Sequence, residues 1–186
     1  MNTKKSKNRP TSRGFSTTGV GIMESMPRSQ EGCRDIPSDS ISAYERPGYK
    51  LMHYVEGFIK TDVSLVPLIK THLDKVDTIA NGLVRCGINR YKYRMVPGLY
   101  AVGKPTKESE VLVTANFKLT IDHLRKAVSG ISAWILVLDT KGINVWCAAG
   151  KGTFSTAALV RQIEEAQLER IISHRRVIVP QLGATG

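Results

Sequence analysis

The chain has 186 residues, of which 41% are hydrophobic, and this is enough for one ordinary core and a tail. Its 27 basic and 16 acidic side chains give a formal charge of +11, which favours anionic partners in general without selecting nucleic acid, membranes or phosphorylated ligands. The three separated cysteines, Cys33, Cys86 and Cys147, exclude a four-cysteine iron–sulfur or zinc site built by this chain alone and are typical of a reducing compartment.

The sequence shows neither a membrane span nor a secretory signal. Its most apolar run, residues 133–138, is far shorter than the ~20 residues that cross a bilayer. The N-terminus carries basic residues, but no apolar stretch follows them. These features predict a cytoplasmic chain.

The first half of the chain has little periodicity. Residues 1–47 are rich in Ser, Thr, Gly, Arg and Lys, and we expect a disordered basic tail there. A single folded domain is predicted over 48–186. Within it, residues 51–60 fit either a short strand or a helical turn, and 62–81 fit an irregular segment with short strands.

The pattern becomes clear from Tyr100 onward. Short β-branched runs bounded by polar residues predict strands, and apolar residues at helical spacing predict helices. The predicted elements are a strand at 110–116, a helix at 119–128, a strand at 133–139, a helix at 156–172 and a strand at 176–179.

This alternation of strands and helices predicts an α/β, Rossmann-like fold with a mostly parallel sheet. In such sheets ligands bind beyond the carboxyl ends of the strands. Three segments are predicted to reach that edge, namely Thr114 to Asn116, Asp139 to Lys151, and Gln181 to Gly183.

The stretch NVWCAAGKGTFST, residues 144–156, contains a Gly-Lys-Gly-Thr that looks like a phosphate loop. A Walker A loop would need glycine at Val145 and a hydroxyl residue at Gly152, and the third glycine of a Rossmann fingerprint would replace Ser155. The apolar residues from Val145 to Ala149 instead favour a compact helical turn. We therefore do not expect a nucleotide site.

Cys147 has two interpretations. A free cysteine is most often buried and structural. Against this, Cys147 is predicted to lie at the ligand edge beside the large flat Trp146, and its small neighbours would let a planar ligand approach the backbone. A soft thiolate in that position suits a transition metal.

Several segments together resemble the HgcA family, the corrinoid proteins of microbial mercury methylation. The most specific is NVWCAAGK at 144–151, which matches the cap helix of that family. The others are GYKLMHYVEGF at 48–58, VPGLYAVG at 96–103, VLVTANFKL at 111–119, WILVLDTKGIN at 134–144, GTFST at 152–156 and SHRRVIVPQLGATG at 173–186. The same type of domain occurs in the large subunit of the corrinoid iron–sulfur protein of acetyl-CoA synthesis.

The resemblance implies that residues 48–186 bind cobalamin, with Cys147 as the catalytic residue and the lower axial ligand of cobalt. It places the cofactor on the cap turn, formed by Asn144, Val145, Trp146, Cys147, Ala148, Ala149, Gly150, Lys151 and Thr153. Five further residues are candidate cofactor contacts only because of their predicted position at the sheet edge, namely Thr114, Asn116, Asp139, Gln181 and Gly183. Each of them fits a role in a turn or a helix cap equally well. Lys151 also fits a solvated surface lysine.

The activity implied by the resemblance is cobalamin-dependent methyl transfer to Hg(II), which makes the chain a methyltransferase. The implied partners are an HgcB-type ferredoxin-like iron–sulfur protein as reductant and a folate-dependent methyltransferase as methyl donor, with no nucleic acid. Full-length members of that family are membrane-anchored through a C-terminal domain that lies beyond Gly186. Two alternatives stay open, a corrinoid methyl carrier in one-carbon and acetyl-CoA metabolism and, more remotely, a nucleic-acid-binding module.

The four histidines, His53, His72, His123 and His174, are candidate metal ligands by residue type. None lies in the D-x-H-x-x-G pattern of histidine-ligated cobalamin domains. We therefore expect surface or core roles for them.

Overall fold

A computed structural model describes residues 51–88, 90 and 92–180 of the chain. The tail predicted at 1–47 and the predicted contacts Gln181 and Gly183 lie outside the described residues. The elements in chain order are β1 (Val55–Lys60), β2 (Leu65–Ile69), α1 (Lys75–Arg85), β3 (Gly98–Val102), β4 (Val111–Ala115), α2 (Lys118–Ala127), β5 (Ala133–Leu138), α3 (Val145–Gly150), α4 (Thr156–Glu165) and a 3₁₀ turn (Leu168–Arg170).

The five strands form one mixed sheet in the order β1-β2-β3-β5-β4. The pairs β2–β3 and β4–β5 are parallel, whereas β1–β2 and β3–β5 are antiparallel. The predicted α/β class is confirmed, and β4 and β5 are two of the three strands that the sequence predicted to run parallel. Their carboxyl ends therefore meet at one edge of the sheet.

Strand β5 lies at the centre of the core, since all six of its residues are buried. Trp134, Leu136 and Leu138 contribute to one apolar layer, and Ile135 and Val137 contribute to the other. A strand that is buried on both faces has a continuous apolar sequence instead of an alternating one. This explains why the pattern predicted β5 with nearly correct bounds.

The helices that flank β5 cover opposite faces of the sheet. Ile121 of α2 packs in one apolar layer, whereas Val145 of α3 and Leu159 of α4 pack in the other. The chain moves from β4 to β5 through α2, and then returns across β4 through α4 until Ile178 bridges to Leu112. Because the direction reverses, the second helix lies on the opposite face.

Two predicted elements are shorter than expected. The helix predicted over 156–172 ends at Glu165, because Gln167 adopts a left-handed φ of 47° and the chain continues as the 3₁₀ turn. The strand predicted over 176–179 is reduced to one bridge, in which the Ile178 amide donates to Val111 O and Ile178 O accepts from the Val113 amide.

Helix α1, which the sequence did not predict, begins at a reciprocal cap. The Asp77 amide donates to the Asp74 carboxylate at 2.9 Å, and the Asp74 amide donates to the Asp77 carboxylate at 3.3 Å. Within the described part of the chain, every helix is too short or too polar to cross a membrane.

A buried cluster of four charges joins α1 to α2. Lys118 Nζ donates to Asp77 Oδ1 at 2.9 Å and also to Asp122, while Arg125 Nε donates to Asp122 Oδ1 at 2.8 Å and its terminal nitrogen to Asp77. None of the four side chains is more than 3% exposed. The two positive and two negative charges compensate one another, as burial of charge requires.

Candidate functional site

The parallel register of β4 and β5 brings Asn116 and Asp139 together at the carboxyl edge. Ala115 pairs with Leu138, and the Asn116 amide continues the ladder by donating to Leu138 O at 3.0 Å. Beyond that point, the Asn116 side-chain nitrogen donates to Asp139 Oδ1 at 3.1 Å. Both residues were predicted at this edge, and the structure places them in direct contact.

Asn116 fixes the loop that follows β5. Its side-chain oxygen accepts from the Thr140 amide at 3.1 Å, the Thr140 hydroxyl at 2.8 Å and the Gly142 amide at 3.0 Å. The side chain is 2% exposed. Because its polar atoms are used within the chain, Asn116 acts on any ligand at this edge by positioning the loop.

The tip of the loop has an unusual backbone. Lys141 and Gly142 have consecutive positive φ values of 61° and 75°. Glycine adopts this conformation freely, but for lysine it costs on the order of 1 kcal/mol. Asp139 offsets that cost, since its carboxylate accepts from the Lys141 amide at 3.0 Å and from Lys141 Nζ at 2.9 Å.

The same contacts set the ionisation of Asp139. Burial alone would raise its pKa, but the hydrogen bonds from the side chain and backbone of Lys141, with help from Asn116, hold the pKa of Asp139 below its usual value. Asp139 is therefore ionised at neutral pH, and its carboxylate keeps both hydrogen bonds from Lys141.

Helix α3 is short but has a defined start and end. The Asn144 side chain accepts from the Cys147 amide at 2.9 Å, which makes Asn144 the N-cap. At the other end, Ala148 O accepts from the Thr153 amide at 2.9 Å and from the Phe154 amide at 3.2 Å. The helical turn predicted for residues 145–149 is confirmed, and the phosphate-loop conformation is excluded with it.

The two faces of α3 differ sharply. Val145 and Ala148 are buried against the apolar layer that contains β4 and β5. Trp146 is 64% exposed, and the Cys147 thiol is also exposed. The structure therefore presents an indole and a thiol side by side to the surface, and the alternative of a buried structural cysteine is wrong.

The remaining predicted site residues divide by exposure. Gly150 and Lys151 are exposed beside Cys147, and Ala149 and Thr153 are half-buried. Thr114 is buried within β4 at 2% exposure, so it supports the edge from inside.

Four loop residues, Thr140, Lys141, Gly142 and Ile143, were not singled out from the sequence. Thr140 is the most consequential, because its hydroxyl shares its one proton between Asn116 Oδ1 at 2.8 Å and Ile143 O at 2.7 Å and so joins Asn116 to the segment before α3. A turn-forming Lys-Gly pair after a buried strand is the signal that could have identified this loop.

The chemistry of this surface fits a corrinoid. Cys147 offers a soft sulfur ligand suited to cobalt, and Trp146 offers a flat apolar surface. Around Gly150 and Gly152, apart from chain neighbours and the helix's own backbone, no described atom lies within 4 Å of the position that a Cβ would occupy. A large planar molecule can therefore reach the backbone beside the thiol.

The described histidines lie elsewhere. His53, Asp74 and Asp77 each place one potential metal-ligand atom within 4.8 Å of the others. The Asp77 carboxylate is already bound by Lys118 and Arg125, however, and Asp74 caps α1. Asp74 and Asp77 thus serve the cap of α1 and the buried charge cluster, and His53 lies within hydrogen-bonding distance of Asp77 at 3.0 Å.

Comparison with known proteins identifies the family. A family profile described as CO dehydrogenase/acetyl-CoA synthase delta subunit matches residues 89–186, which include β3, β4, β5 and the whole of α3. The match begins after α1.

Individual relatives carry related names. The chain is 33% identical over 97 residues to the gamma subunit of the acetyl-CoA decarbonylase/synthase complex of Archaeoglobus fulgidus, a match that covers 51% of this chain and 21% of that protein. It is 38% identical over 86 residues to the gamma subunit from Methanopyrus kandleri, covering 45% of this chain and 19% of the relative. It is 37% identical over 91 residues to gamma subunit 1 from Methanosarcina thermophila, a match that covers 47% of this chain and 19% of the relative. The chain thus spans about a fifth of the length of these relatives.

These matches correct the predicted family. Membership of the HgcA family is wrong, because the profile and the relatives belong to acetyl-CoA decarbonylase/synthase. The predicted partners, an HgcB-type ferredoxin and Hg(II), are wrong for the same reason. Three of the seven segments that carried the resemblance contain the buried strands β3, β4 and β5, and burial constrains their composition in any domain of this type.

Proposed function

Because the chain belongs to the CO dehydrogenase/acetyl-CoA synthase delta subunit family, we propose that it binds a corrinoid and acts as a methyl carrier in acetyl-CoA metabolism. The domain that performs this role is the segment 48–186. The sequence left a methyl carrier open as the alternative to methyl transfer to Hg(II), and the relatives favour the carrier hypothesis.

One observation supports the proposal most strongly. The only described cysteine within the matched segment, Cys147, is exposed on α3 next to an exposed tryptophan. The indole offers a flat apolar surface, and the neighbouring thiol offers a soft ligand atom for a transition metal. A flat cofactor above α3 accounts for both exposed groups at once.

The residues of the edge then have distinct roles. Trp146, Ala149 and Gly150 would hold the cofactor, Lys151 would bind its polar substituents, and Cys147 would offer its sulfur as the protein ligand to cobalt. When bound, the corrinoid cobalt supplies the atom to which the carried methyl group is attached. Asn116, Asp139 and Asn144 hold the loop and α3 in place and do not touch the methyl group.

The relatives are named as subunits of a complex, and we extend this to the present chain. As a carrier, it would receive and deliver the methyl group through contacts with other subunits of that complex. The outward orientation of α3 supports this arrangement, since a carrier must present its cofactor to more than one partner.

Reconstitution tests the proposal. The chain is mixed with aquocobalamin, and bound corrinoid is measured by gel filtration and visible absorption. The wild type should retain about one corrinoid per chain, Trp146→Ala should bind several-fold more weakly, and Val160→Ala should bind like the wild type. Val160 is a matched control because it is a 47% exposed apolar residue on α4. Absence of bound corrinoid from the wild type would refute the proposed function.

A further inference from the structure

We propose that the groove between α1 and α2 is a second binding site, one that takes the phosphate group of a small molecule. The groove has a volume of about 630 Å³, which is in the range of small-molecule sites. It is lined by the residues His72, Asn81, Gly82, Arg85, His123 and Lys126, among others.

The groove lies at the edge of the sheet opposite to α3. Its wall includes His72, which follows the carboxyl end of β2, and Ser129, which follows α2. Since β2 is parallel to β3 and β3 is antiparallel to β5, the carboxyl end of β2 lies beside the amino end of β5. The groove is therefore separate from the proposed corrinoid surface.

The charge of the groove selects an anion. Among the described residues that line it, none is acidic, and neither Arg85 nor Lys126 forms an ion pair with a described carboxylate. Arg85 Nη2 instead lies 3.2 Å from His123 Nε2, which orients the guanidinium across the groove from α1 to α2. Arginine with lysine in a concave site is a favoured arrangement for phosphate.

A buried amide points to a hydrogen-bonding ligand as well. Asn81 lines the groove and is only 8% exposed, yet its side-chain oxygen has no hydrogen-bond partner among the described residues. Leaving such an atom unpaired is unfavourable, and natural structures rarely do so without a reason. A hydroxyl group of the ligand would satisfy it.

Gly82 supplies room for the ligand. It lies in the middle of α1, where glycine is less favourable than alanine, and apart from its chain neighbours and the helix's own backbone no described atom lies within 4 Å of the position that its Cβ would occupy. Nothing in the described chain uses this space. A glycine here allows a ligand to approach the helix backbone between Asn81 and Arg85.

The occupant is a small phosphate compound and not a nucleic acid, because the groove is a single concavity and not an extended basic surface. Both inorganic phosphate and a sugar phosphate combine a negative charge with a hydroxyl donor. Inorganic phosphate and a sugar phosphate differ in size, so the experiment tests one compound of each kind.

Calorimetric titration with inorganic phosphate and with ribose 5-phosphate tests the proposal at constant ionic strength. The wild type should bind at least one of them saturably, and the tighter of the two identifies the source. Arg85→Gln and Lys126→Gln should each weaken binding by about tenfold, the effect of losing one charge-assisted hydrogen bond. Arg161→Gln, which removes an exposed charge from α4 on the other face, should bind like the wild type.

Gly82→Leu provides a variant that should fold at least as well as the wild type. Leucine favours helix, and its side chain would occupy the groove, so binding should be lost while the thermal midpoint is kept. The proposal would be overturned if the wild type bound neither compound, or if the Arg85 and Lys126 variants bound as tightly as the wild type. A parallel titration with an oligonucleotide serves as a further check, and binding of the oligonucleotide alone would also overturn the proposal. The corrinoid assay is unaffected by any of these outcomes, since the two sites lie at opposite edges.

Discussion

Cys147 is the residue on which the proposed corrinoid chemistry of the edge depends. It occupies the first turn of α3, where its amide is bound by Asn144 and its thiol is left exposed. A thiolate ligand to cobalt changes the electronic spectrum of the corrinoid because it donates charge to the metal. Cys147→Ser should therefore keep corrinoid binding but shift the visible absorption bands.

Cys86→Ser is the matched control for that measurement. Cys86 is also exposed, but it lies at the end of α1 and outside the matched segment. Its substitution should leave the bands unchanged. If the spectra of the Cys147 and Cys86 variants are both identical to that of the wild type, cobalt has no sulfur ligand from this chain, although carriage of a methyl group is still possible.

Asn116 shows how much a single buried amide contributes at this edge. Asn116→Ala leaves the Thr140 and Gly142 amides without their acceptor, whereas the Thr140 hydroxyl keeps Ile143 O. We expect a loss of about 2–4 kcal/mol in the free energy of unfolding, measured by urea denaturation. Asp139→Ala, at a half-exposed neighbour, should cost only about 1 kcal/mol. Equal losses would mean that Asn116 does not fix the loop.

At the scale of the element, α3 depends on its cap, because six residues are too few to form a stable helix alone. Asn144→Ala removes the side-chain acceptor and should cost about 1 kcal/mol and several-fold in corrinoid affinity, whereas Asn144→Asp should restore most of both. Ser155→Ala, at the N-cap of α4, is the control. It should lower stability by a similar amount without changing corrinoid affinity, and an equal loss of affinity would contradict the role of α3.

The elements also show where sequence reasoning works. Burial on both faces makes β5 a continuous apolar run, and its flanking helix α2 keeps a regular stripe, so both were predicted. Helix α1 was not predicted because its pattern is inverted. Its apolar residues Val76, Ile79 and Leu83 are exposed, while Asp77 and Asn81 share the buried face with Val84. Periodicity identifies a buried face only when that face is apolar.

Like the fold, the candidate site could be predicted only in part from the sequence. Position after β5 and the small residues around Cys147 were sufficient to locate α3 and its exposed thiol. The hydrogen bonds of Asn116 could not be foreseen, because they depend on the register between β4 and β5. The family could not be assigned from a short motif and buried strands, whose composition reflects burial more than function.

At the scale of the whole molecule, the buried charges hold α1 against α2. Burial alone would raise the pKa of Asp77, but the hydrogen bond from His53, the charge of Lys118 and the hydrogen bonds from Arg125 and Lys118 hold it well below its usual range. A pKa that is lower in the folded state adds stability above the unfolded pKa of about 4, and this stability is lost as the pH falls below that value.

Asp77→Asn tests the cluster, because it leaves one buried positive charge uncompensated. It should cost about 3–5 kcal/mol at pH 7, and the difference from wild type should shrink at pH 3, because the Asp77 carboxylate of the wild type is then protonated in the unfolded state but still ionised in the folded state. Asp74→Asn keeps a capping side chain and should change stability by less than about 0.5 kcal/mol. A difference between Asp77→Asn and wild type that is the same at both pH values would contradict the assignment.

The central claim is that the corrinoid lies on α3 and on the loop after β5, and chemical-shift mapping tests it most directly. Backbone amide spectra of the ¹⁵N-labelled chain are recorded during titration with aquocobalamin, whose low-spin Co(III) is diamagnetic. We expect saturable shifts confined mainly to residues 139–153, with those of α1 unchanged. Saturable shifts centred on α1 and α2, or none at any concentration, would contradict the claim.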